Sequence, residues 1–305
     1  MVESEKTLWI IAGPTLTGKS SIAGSLSKTT PCRIINADSM QIYKGLPILT
    51  AQPEYDENNR LYNIWTSGNS VYQWKKEAEE EIRISFAEGF QPICVGGAGF
   101  YLDSLMNGIS NIPDIPKEIS DNIANKSQEE VLNELLKISP ESDISENHRR
   151  RCRALAVFCA TGKSMSHWHR VSEKSKANLK IKGVVLFKKP CAEEVAARFR
   201  EMLEKGAIEE VVAFESANPG EHQAKKAIGF AEIVRYCEGE INMQSMIDRV
   251  VTRTTQYAKR QMTWFKRRHN PLTLLCDISS ENVRNILKQE FLSDISGYAG
   301  VMSDG

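Results

Sequence analysis

No two cysteines of this chain stand in a C-x-x-C arrangement. The chain has seven cysteines, and they lie at positions 32, 94, 152, 159, 191, 237 and 276. An odd number without such a pair argues against a disulfide framework and against a cysteine-rich zinc site. We therefore expect the protein to work in a reducing compartment, the cytoplasm.

Long apolar runs are also missing. No stretch approaches the roughly 18 apolar residues of a membrane-spanning helix, and only the short run at 8–12 precedes the first motif. The 305 residues are 41% hydrophobic and 26% charged, which is typical of a soluble globular protein with a large core and room for a second lobe. We expect neither secretion nor membrane insertion.

An excess of charge of either sign is absent too, because Lys+Arg and Asp+Glu each number 39. The basic residues are nevertheless clustered. Residues 148–153 hold four arginines, and residues 249–269 carry seven Lys or Arg without one acid, interleaved with Tyr257, Trp264 and Phe265. Such stretches are typical of nucleic-acid binding, since cations contact phosphates and aromatic rings stack on bases. The alternative for either cluster is a solvated helix face whose rings pack inward, but two clusters together favour RNA or DNA.

A phosphate-binding loop of the form G-x-x-x-x-G-K-S follows the apolar run directly. Its residues are Gly13, Pro14, Thr15, Leu16, Thr17, Gly18, Lys19 and Ser20. Gly13 and Gly18 let the backbone curl so that successive N–H groups point towards an anion, which also meets the start of the next helix. Lys19 supplies a cation for two linked phosphates, and the Ser20 hydroxyl is the usual Mg²⁺ ligand. We expect the loop to hold a diphosphate or triphosphate with Mg²⁺.

An acid is missing where ATPases and GTPases of this class hold their metal. The best second strand, at 92–95, runs into the glycine-rich residues 96–99 without a carboxylate. The strand predicted at 33–37 instead brings Asp38 to its carboxyl end, where ligands collect in open α/β sheets. We therefore expect Asp38 to lie next to the phosphates.

Strand and helix patterns alternate in the first third of the chain, which predicts an α/β fold with a P-loop NTPase-like parallel sheet flanked by helices. Strands are predicted at 8–12, 33–37, 92–95, 184–187 and 272–275, and helices at 19–28, 70–89, 101–107, 191–205, 207–216, 224–237 and 243–268. Two prolines, at 113 and 116, break the pattern, and the segment after them is helical and polar. We predict a catalytic core with C-terminal helices at 1–114 and 182–295, an inserted all-helical lobe at 115–181, and a frayed tail at 296–305.

The chain resembles the tRNA dimethylallyltransferases (isopentenyl-tRNA transferases) over roughly residues 8–268. Besides the phosphate loop, the resemblance rests on motifs at 37–46 (A-D-S-M-Q-I-Y-K-G-L), 50–53 (T-A-Q-P), 95–101 (V-G-G-A-G-F-Y), 153–157 (R-A-L-A-V), 161–163 (T-G-K) and 258–265 (A-K-R-Q-M-T-W-F). The C-terminal zinc module of some eukaryotic relatives is absent, which points to the bacterial form.

The resemblance implies transfer of a dimethylallyl group from dimethylallyl diphosphate to N6 of the adenosine 3′ to the anticodon, in tRNAs that read codons beginning with U. The product is N6-isopentenyladenosine, and Mg²⁺ is the expected cofactor. Residues 13–20 would hold the diphosphate leaving group, and Asp38 would take a proton from the adenine amine. A helix cap or a Mg²⁺ ligand is the alternative role for Asp38.

The resemblance also implies contacts with the tRNA anticodon stem-loop, made partly by the inserted lobe. The residues concerned are Asp38, Ser39, Met40, Gln41, Ala98, Arg149, Arg150, Arg151, Cys152, Arg153, Lys259 and Arg260. We expect no membrane association and no required protein partner, and a monomer by default.

Several positions depart from the family pattern. Ala98 replaces a Thr that lies near the substrate in the family, and Lys226 stands where an Arg often completes the phosphate site. Lys keeps the charge but loses the planar fork that grips two oxygens. In the arginine-rich segment, Asn147, Arg149 and Ala156 replace the Asp, Gln and Glu that are common in the family. The changes at Ala98 and Lys226 predict lower activity or compensation by other basic residues, and those in the arginine-rich segment predict altered contacts with the tRNA.

Two other functional classes remain open. A small-molecule or nucleoside kinase would also use the phosphate loop with Asp38 as base, but it leaves the basic C-terminal helix without a role. A non-catalytic RNA-binding relative would explain Ala98 and Lys226 as decay.

Overall fold

The computed structural model describes residues 6–54, 56–68, 70–138, 145–171, 179–268 and 270–276, together with positions 282, 285 and 289. Strands in these residues are Thr7–Ala12 (β1), Cys32–Asn36 (β2), Asn59–Arg60 (β3), Gln91–Gly96 (β4), Lys180–Phe187 (β5) and Thr273–Cys276 (β6). Helices are Lys19–Ser27 (α1), Val71–Ala87 (α2), Gly99–Asn107 (α3), Lys117–Ala124 (α4), Gln128–Ile138 (α5), His148–Thr161 (α6), Met165–Val171 (α7), Ala192–Glu204 (α8), Ala207–Ala217 (α9), Phe230–Cys237 (α10) and Met243–Arg267 (α11). A short 3₁₀ helix occupies Gln223–Lys226.

The strands form one sheet in the order β3-β2-β4-β1-β5-β6, and each described pairing is parallel. Strand β4 lies between β1 and β2, so that Cys94 pairs with Ile10 on one side and Ile35 on the other. The predicted parallel sheet flanked by helices is confirmed. Because parallel strands all end at the same edge, the segments that follow β1, β2 and β4 meet there.

The strands form because their apolar side chains are buried on both faces of the sheet. On β1, Leu8 and Ile10 belong to one core cluster, while Trp9 and Ile11 belong to the other. Helix α1 covers the second face with side chains that include Ile22. Burying an Ile or Leu side chain stabilises a fold by about 1.5–3 kcal/mol relative to leaving it in water. This pattern explains why β1 reads as a continuous apolar run rather than as an alternating one.

Helix α2 begins and ends as its sequence predicts. The Ser70 side chain accepts a hydrogen bond from the backbone N–H of Gln73, which satisfies one of the free donors of the first turn. Just beyond the last turn, Gly89 adopts a left-handed conformation with φ 78°. The capping Ser and the terminal Gly therefore set the length of this helix.

The chain divides into two compact units. Residues 1–106 and 177–305 form the first, and residues 107–176 form the second. The second unit contains helices α4 to α7 and, among its described residues, no strand, with a small core that includes Val131, Leu135 and Leu155. The inserted lobe was predicted at 115–181, and the structure places Lys180 at the start of β5. The tail predicted at 296–305 lies outside the described residues.

The structure corrects one predicted helix and adds a strand. The helix expected at 224–237 is interrupted, because Gly229 adopts φ 103° between the 3₁₀ helix and α10. This positive φ favours glycine, and a Cβ here would also lie 2.8 Å from Leu49 Cδ1, so that the Leu49 side chain would have to move. The two-residue strand β3 was not predicted. None of the described helices is both long and apolar enough to cross a membrane.

Candidate active site

The loop between β1 and α1 has an unusual backbone. Gly13 and Gly18 have positive φ values of 141° and 80°. A Cβ on Gly13 would lie 2.4 Å from the carbonyl oxygen of Leu186, so the neighbouring strand β5 leaves no room for a side chain. Leu16 is also left-handed, with φ 66°, which costs a residue with a side chain of order 1–3 kcal/mol. The loop therefore stores strain at the residues that the sequence assigns to an anion.

Lys19 lies over this loop. Its Nζ donates to the Pro14 carbonyl oxygen at 2.5 Å and lies 3.4 Å from Thr17 Oγ1. Burial lowers the pKa of Lys19 to about 8, while the Asp38 carboxylate opposes this shift and the Arg198 guanidinium adds to it. Lys19, Arg198 and Asp38 therefore lie close enough together beside the loop for Asp38 and Arg198 to affect the pKa of Lys19.

Ser20 stands in the first turn of α1 with an exposed side chain. No hydrogen bond joins its hydroxyl to the part of the chain that the structure describes. That part also contains no cluster of three or more His, Cys, Asp or Glu side chains that could hold a metal. A metal ion at this loop would therefore rely on Ser20, with phosphate oxygens and water as its other ligands, a mode of binding common for Mg²⁺.

Asp38 is held in place by Asn36, the last residue of β2. The Asn36 side chain accepts from the Asp38 N–H at 2.8 Å and donates to the Asp38 carbonyl at 3.1 Å. The backbone carbonyl of Asn36 accepts a hydrogen bond from Trp74 Nε1 at 2.9 Å. Asp38 Oδ1 accepts from the Met40 N–H at 2.9 Å, which is a local turn of the kind that Asp favours. One carboxylate oxygen thus fixes the turn, and the other makes no hydrogen bond to a described residue.

A cavity of about 370 Å³ opens beside Asp38. Site residues expected from the sequence line part of it, namely Thr15, Leu16, Asp38, Ser39, Met40, Gln41, Lys226 and Arg260. Apolar side chains form another wall, among them Leu49, Val195, Phe199, Met202, Ile228 and Val250. Arg198, Arg253 and Tyr257 also face it. The tip of the phosphate loop, a carboxylate, several cations and an apolar wall therefore meet in one space.

A family model described as IPP transferase matches residues 41–268. The chain belongs to the IPP transferase family. A relative from Wolbachia pipientis subsp. Culex pipiens (strain wPip), named tRNA dimethylallyltransferase, is 38% identical over 271 residues, which cover 84% of this chain and 91% of the relative.

Solved structures show the same likeness. A tRNA delta(2)-isopentenylpyrophosphate transferase from Staphylococcus epidermidis is 26% identical with a TM-score of 0.66, covering 95% of this chain and 99% of that one. A eukaryotic dimethylallyltransferase acting on tRNA is 25% identical with a TM-score of 0.78, covering 95% of this chain and 80% of the other. The fold class and the family resemblance predicted from the sequence are confirmed.

Other predicted residues of this IPP transferase lie away from the cavity lining. Ala98 lies just before α3, where its N–H donates to the Ala37 carbonyl at 3.0 Å and its side chain packs against the core. Lys259 is exposed on α11. The remaining loop residues, Gly13, Pro14, Thr17, Gly18, Lys19 and Ser20, are not part of the cavity surface, although the loop tip is.

The arginine cluster of this IPP transferase lies on α6 in the second unit. Arg149, Arg150 and Arg153 are exposed, while Arg151 and Cys152 are partly buried. The helix is capped by the Asn147 side chain, which accepts from the Arg150 N–H. The structure thus presents three of the four arginines to solvent on one helix.

The aromatic residues of the C-terminal basic segment are buried to different degrees. Phe265 is fully buried, and Trp264 packs so closely against Gly99 that a Cβ there would lie 2.3 Å from the indole ring. Tyr257 lines the cavity, and burial raises its pKa. The inward-packing alternative is therefore correct for Phe265, whereas Tyr257 and Trp264 keep part of their surface exposed.

Arg198 on α8 is a site residue that the sequence did not reveal. Its Nη1 lies 3.5 Å from Thr15 Oγ1, and burial lowers its pKa against the opposing influence of Asp38. It lines both the Asp38 cavity and an adjoining cavity of about 990 Å³. The helical spacing could have indicated its position. Arg198 stands three residues after Val195 and four before Met202, on the face that α8 turns inward. An arginine at such a position needs an anionic partner.

Proposed function

We propose that this protein transfers a dimethylallyl group from dimethylallyl diphosphate to N6 of the adenosine 3′-adjacent to the anticodon, giving N6-isopentenyladenosine in tRNAs that read codons beginning with U. The observation that carries the proposal is the meeting of the phosphate-loop tip, Asp38 and an apolar wall in one cavity. Membership of the IPP transferase family and the names of the relatives support the same reaction.

The leaving diphosphate belongs on the loop at 13–20. Backbone N–H groups and the start of α1 supply partial positive charge, and Lys19 and Arg198 supply full charges. Positive groups placed where negative charge develops lower the barrier for breaking the C–O bond. Lys226 lines the same cavity from the 3₁₀ helix, with Nζ 2.6 Å from Gln223 Oε1. Arg198 thus provides the planar fork that Lys226 lacks.

The prenyl group fits the apolar side of the cavity. Phe199, Met202 and Ile228 offer a surface from which a five-carbon chain would displace water. The rest of the cavity remains for an adenine base, which must leave the stack of the RNA loop to reach the allylic carbon.

Asp38 acts as the base in this reaction. The exocyclic amine of adenine is a weak nucleophile, because its lone pair is delocalised into the ring. As the N6–C bond forms, the C–O bond breaks, the diphosphate leaves with the bonding electrons, and a proton passes from N6 to Asp38. The carboxylate oxygen that is not used by the Met40 turn is available to accept it.

Mg²⁺ fits the loop and would be held by Ser20. When bound, it neutralises charge on the diphosphate. The exposed and unbonded Ser20 hydroxyl and the absence of an acidic cluster among the described residues suit an ion that takes most of its ligands from the substrate.

RNA binding is assigned to three places. Asp38, Ser39, Met40 and Gln41 lie at the cavity, Lys259 and Arg260 lie on α11, and the arginines lie on α6 of the second unit. Exposed cations on helices contact RNA phosphates, which fixes the position of the bound strand. We place the reaction in the cytoplasm. We propose that no protein partner is required, since one chain carries all of these groups.

Substitution of Arg198 tests the diphosphate site. Arg198→Met is expected to lower kcat/KM for dimethylallyl diphosphate about 10- to 100-fold, since hydrogen bonds to charged groups contribute roughly 1.5–3 kcal/mol. Arg200→Met removes an exposed arginine from the same helix and should stay within about twofold of the wild type. Steady-state kinetics with varied diphosphate substrate measures both, and equal effects of the two changes would contradict the assignment.

The lowered pKa of Lys19 predicts a pH dependence. Below pH 8 the side chain of the free protein is protonated, and it loses its charge as pH rises through about 8. We therefore expect kcat/KM for the diphosphate substrate to fall about tenfold per pH unit above this value, because kcat/KM reports the free enzyme. In Lys19→Arg, whose charge persists, the fall should disappear. If kcat/KM of Lys19→Arg falls above pH 8 as it does in the wild type, the pH dependence arises from another group and the assignment to Lys19 is wrong.

One assay separates the proposed function from its rivals. The protein is incubated with dimethylallyl diphosphate, Mg²⁺ and unmodified tRNA, and the digested RNA is examined for N6-isopentenyladenosine by mass spectrometry. We expect the product with this tRNA and none when the target adenosine is replaced by guanosine. Binding without product would favour a non-catalytic RNA-binding protein, and phosphate transfer from ATP to a small molecule would favour a kinase.

A further inference from the structure

The side chain of Gln261 joins the phosphate loop to the glycine-rich turn after β4. Gln261 lies on α11 and is only 6% exposed. Its Oε1 accepts from the Thr15 N–H at 3.1 Å, and its Nε2 donates to the Gly97 carbonyl at 2.9 Å. One buried amide thus bonds to two segments that lie far from it in the sequence.

Gly97 is shaped to receive this side chain. A Cβ at position 97 would lie 2.2 Å from Gln261 Nε2 and 3.1 Å from the Gly13 carbonyl oxygen. Any larger residue would push the amide away or displace the loop. Gln261 and the loop backbone therefore leave no room for a side chain at position 97, which explains why glycine occupies it.

The turn that Gln261 holds is itself attached to the base. The Ala98 N–H donates to the Ala37 carbonyl at 3.0 Å, and a Cβ on Gly96 would lie 2.1 Å from the same oxygen. Asp38 is the next residue. A continuous series of close contacts thus runs from Thr15 through Gln261 to the segment that carries the base.

We propose that Gln261 is a positioning residue that sets the distance between the diphosphate loop and Asp38. This inference rests on the proposed function. A displacement of about 1 Å between reacting groups can reduce a rate about 100-fold, so the fixed separation matters for transfer more than for binding.

The amide is the suitable chemical group for this role. It accepts with one atom and donates with the other, as the two segments require. A glutamate of the same size could accept from Thr15 but could not donate to Gly97, and it would add negative charge close to the diphosphate. A methionine would fill the volume and make neither bond.

The test compares Gln261→Met and Gln261→Glu with the wild type. We expect kcat to fall about 10- to 100-fold at saturating substrates in both variants. The dissociation constant for inorganic diphosphate, measured by calorimetry, should change less than about threefold in the uncharged Gln261→Met, whereas the added negative charge of Gln261→Glu should weaken diphosphate binding as well. Melting temperatures show which variants are folded at the assay temperature, and the glutamate variant serves if the methionine variant is not. Gln244→Met, at an exposed position on the same helix, is the matched control.

The outcomes are distinguishable. A folded variant of Gln261 with kcat within twofold of the wild type overturns the positioning role. In Gln261→Met, a loss of diphosphate affinity as large as the loss of kcat also overturns it, since the residue would then act on binding. If the wild type forms no prenylated RNA, the proposed function itself fails, and the inference fails with it.

Discussion

Asp38→Asn is expected to lower kcat for prenyl transfer by about 10²- to 10⁴-fold, the usual contribution of a positioned base. Asparagine has the same shape and can still accept from the Met40 N–H, so the turn after β2 should persist. It cannot take a proton from the adenine amine. Single-turnover measurements with prebound tRNA report the chemical step, and gel-shift titration reports RNA affinity, which we expect to change little.

The matched control for this substitution is Asp248→Asn. Asp248 is an exposed residue of α11, and it accepts from Gln244 Nε2 at 2.8 Å. Its replacement should leave the rate within about twofold of the wild type. Wild-type turnover in Asp38→Asn would end the assignment of the base. Loss of RNA binding in parallel with the rate would favour the alternative in which Asp38 serves only to shape the turn.

Lys19→Met is the second change with a large expected effect. The ammonium group is the one full charge that the loop itself carries, and it lies within 3.4 Å of Thr17 Oγ1 in the hollow that would receive the diphosphate. Removing one positive group from such a site costs about 10²–10³-fold in kcat. Methionine keeps most of the apolar stem, so packing around the stem should be preserved.

Lys28→Met provides the comparison for Lys19→Met. Lys28 caps the other end of α1 and is exposed, so its loss removes the same charge without touching the site. Rates of diphosphate release and of prenyl incorporation should both fall in Lys19→Met and remain unchanged in Lys28→Met. Equal rates in the two variants would show that the loop lysine does not stabilise the leaving group.

The sequence predicts the part of the site that short motifs determine. The loop at 13–20 follows directly from its glycine spacing, and Asp38 follows from its place at the end of a parallel strand. Both arguments use local structure and one rule about where parallel strands end. Because no acid follows β4, the same rule leaves Asp38 after β2 as the carboxylate expected beside the phosphates.

Arg198 and Gln261 could not be located in the same way. Each reaches the loop through a contact with Thr15 that spans 183 and 246 residues of chain, respectively. Such contacts depend on how α8 and α11 pack against the sheet, which no local pattern specifies. In the structure both side chains lie on the inward faces of amphipathic helices. A polar residue on such a face indicates a buried partner without naming it.

Two differences between the sequence-based interpretation and the structure have physical reasons. The helix expected at 224–237 is interrupted because Gly229 adopts φ 103°, and Leu49 Cδ1 would lie 2.8 Å from a Cβ there, a contact that appears only in the folded chain. RNA stacking was predicted for the rings of the C-terminal basic segment, with inward packing as the alternative. Phe265 packs inward, because it stands four residues after the buried Gln261 on the same helix face. Helical spacing decides the position of Phe265, which composition alone does not indicate.

A structure of the protein with an unreactive thio analogue of dimethylallyl diphosphate and an anticodon stem-loop tests the central claim most directly. We expect the diphosphate on the loop at 13–20, in contact with Lys19 and Arg198, and the free oxygen of Asp38 facing N6 of an extruded adenosine beside the prenyl carbon. A diphosphate bound elsewhere, or an Asp38 carboxylate turned away from that adenosine, would contradict the account.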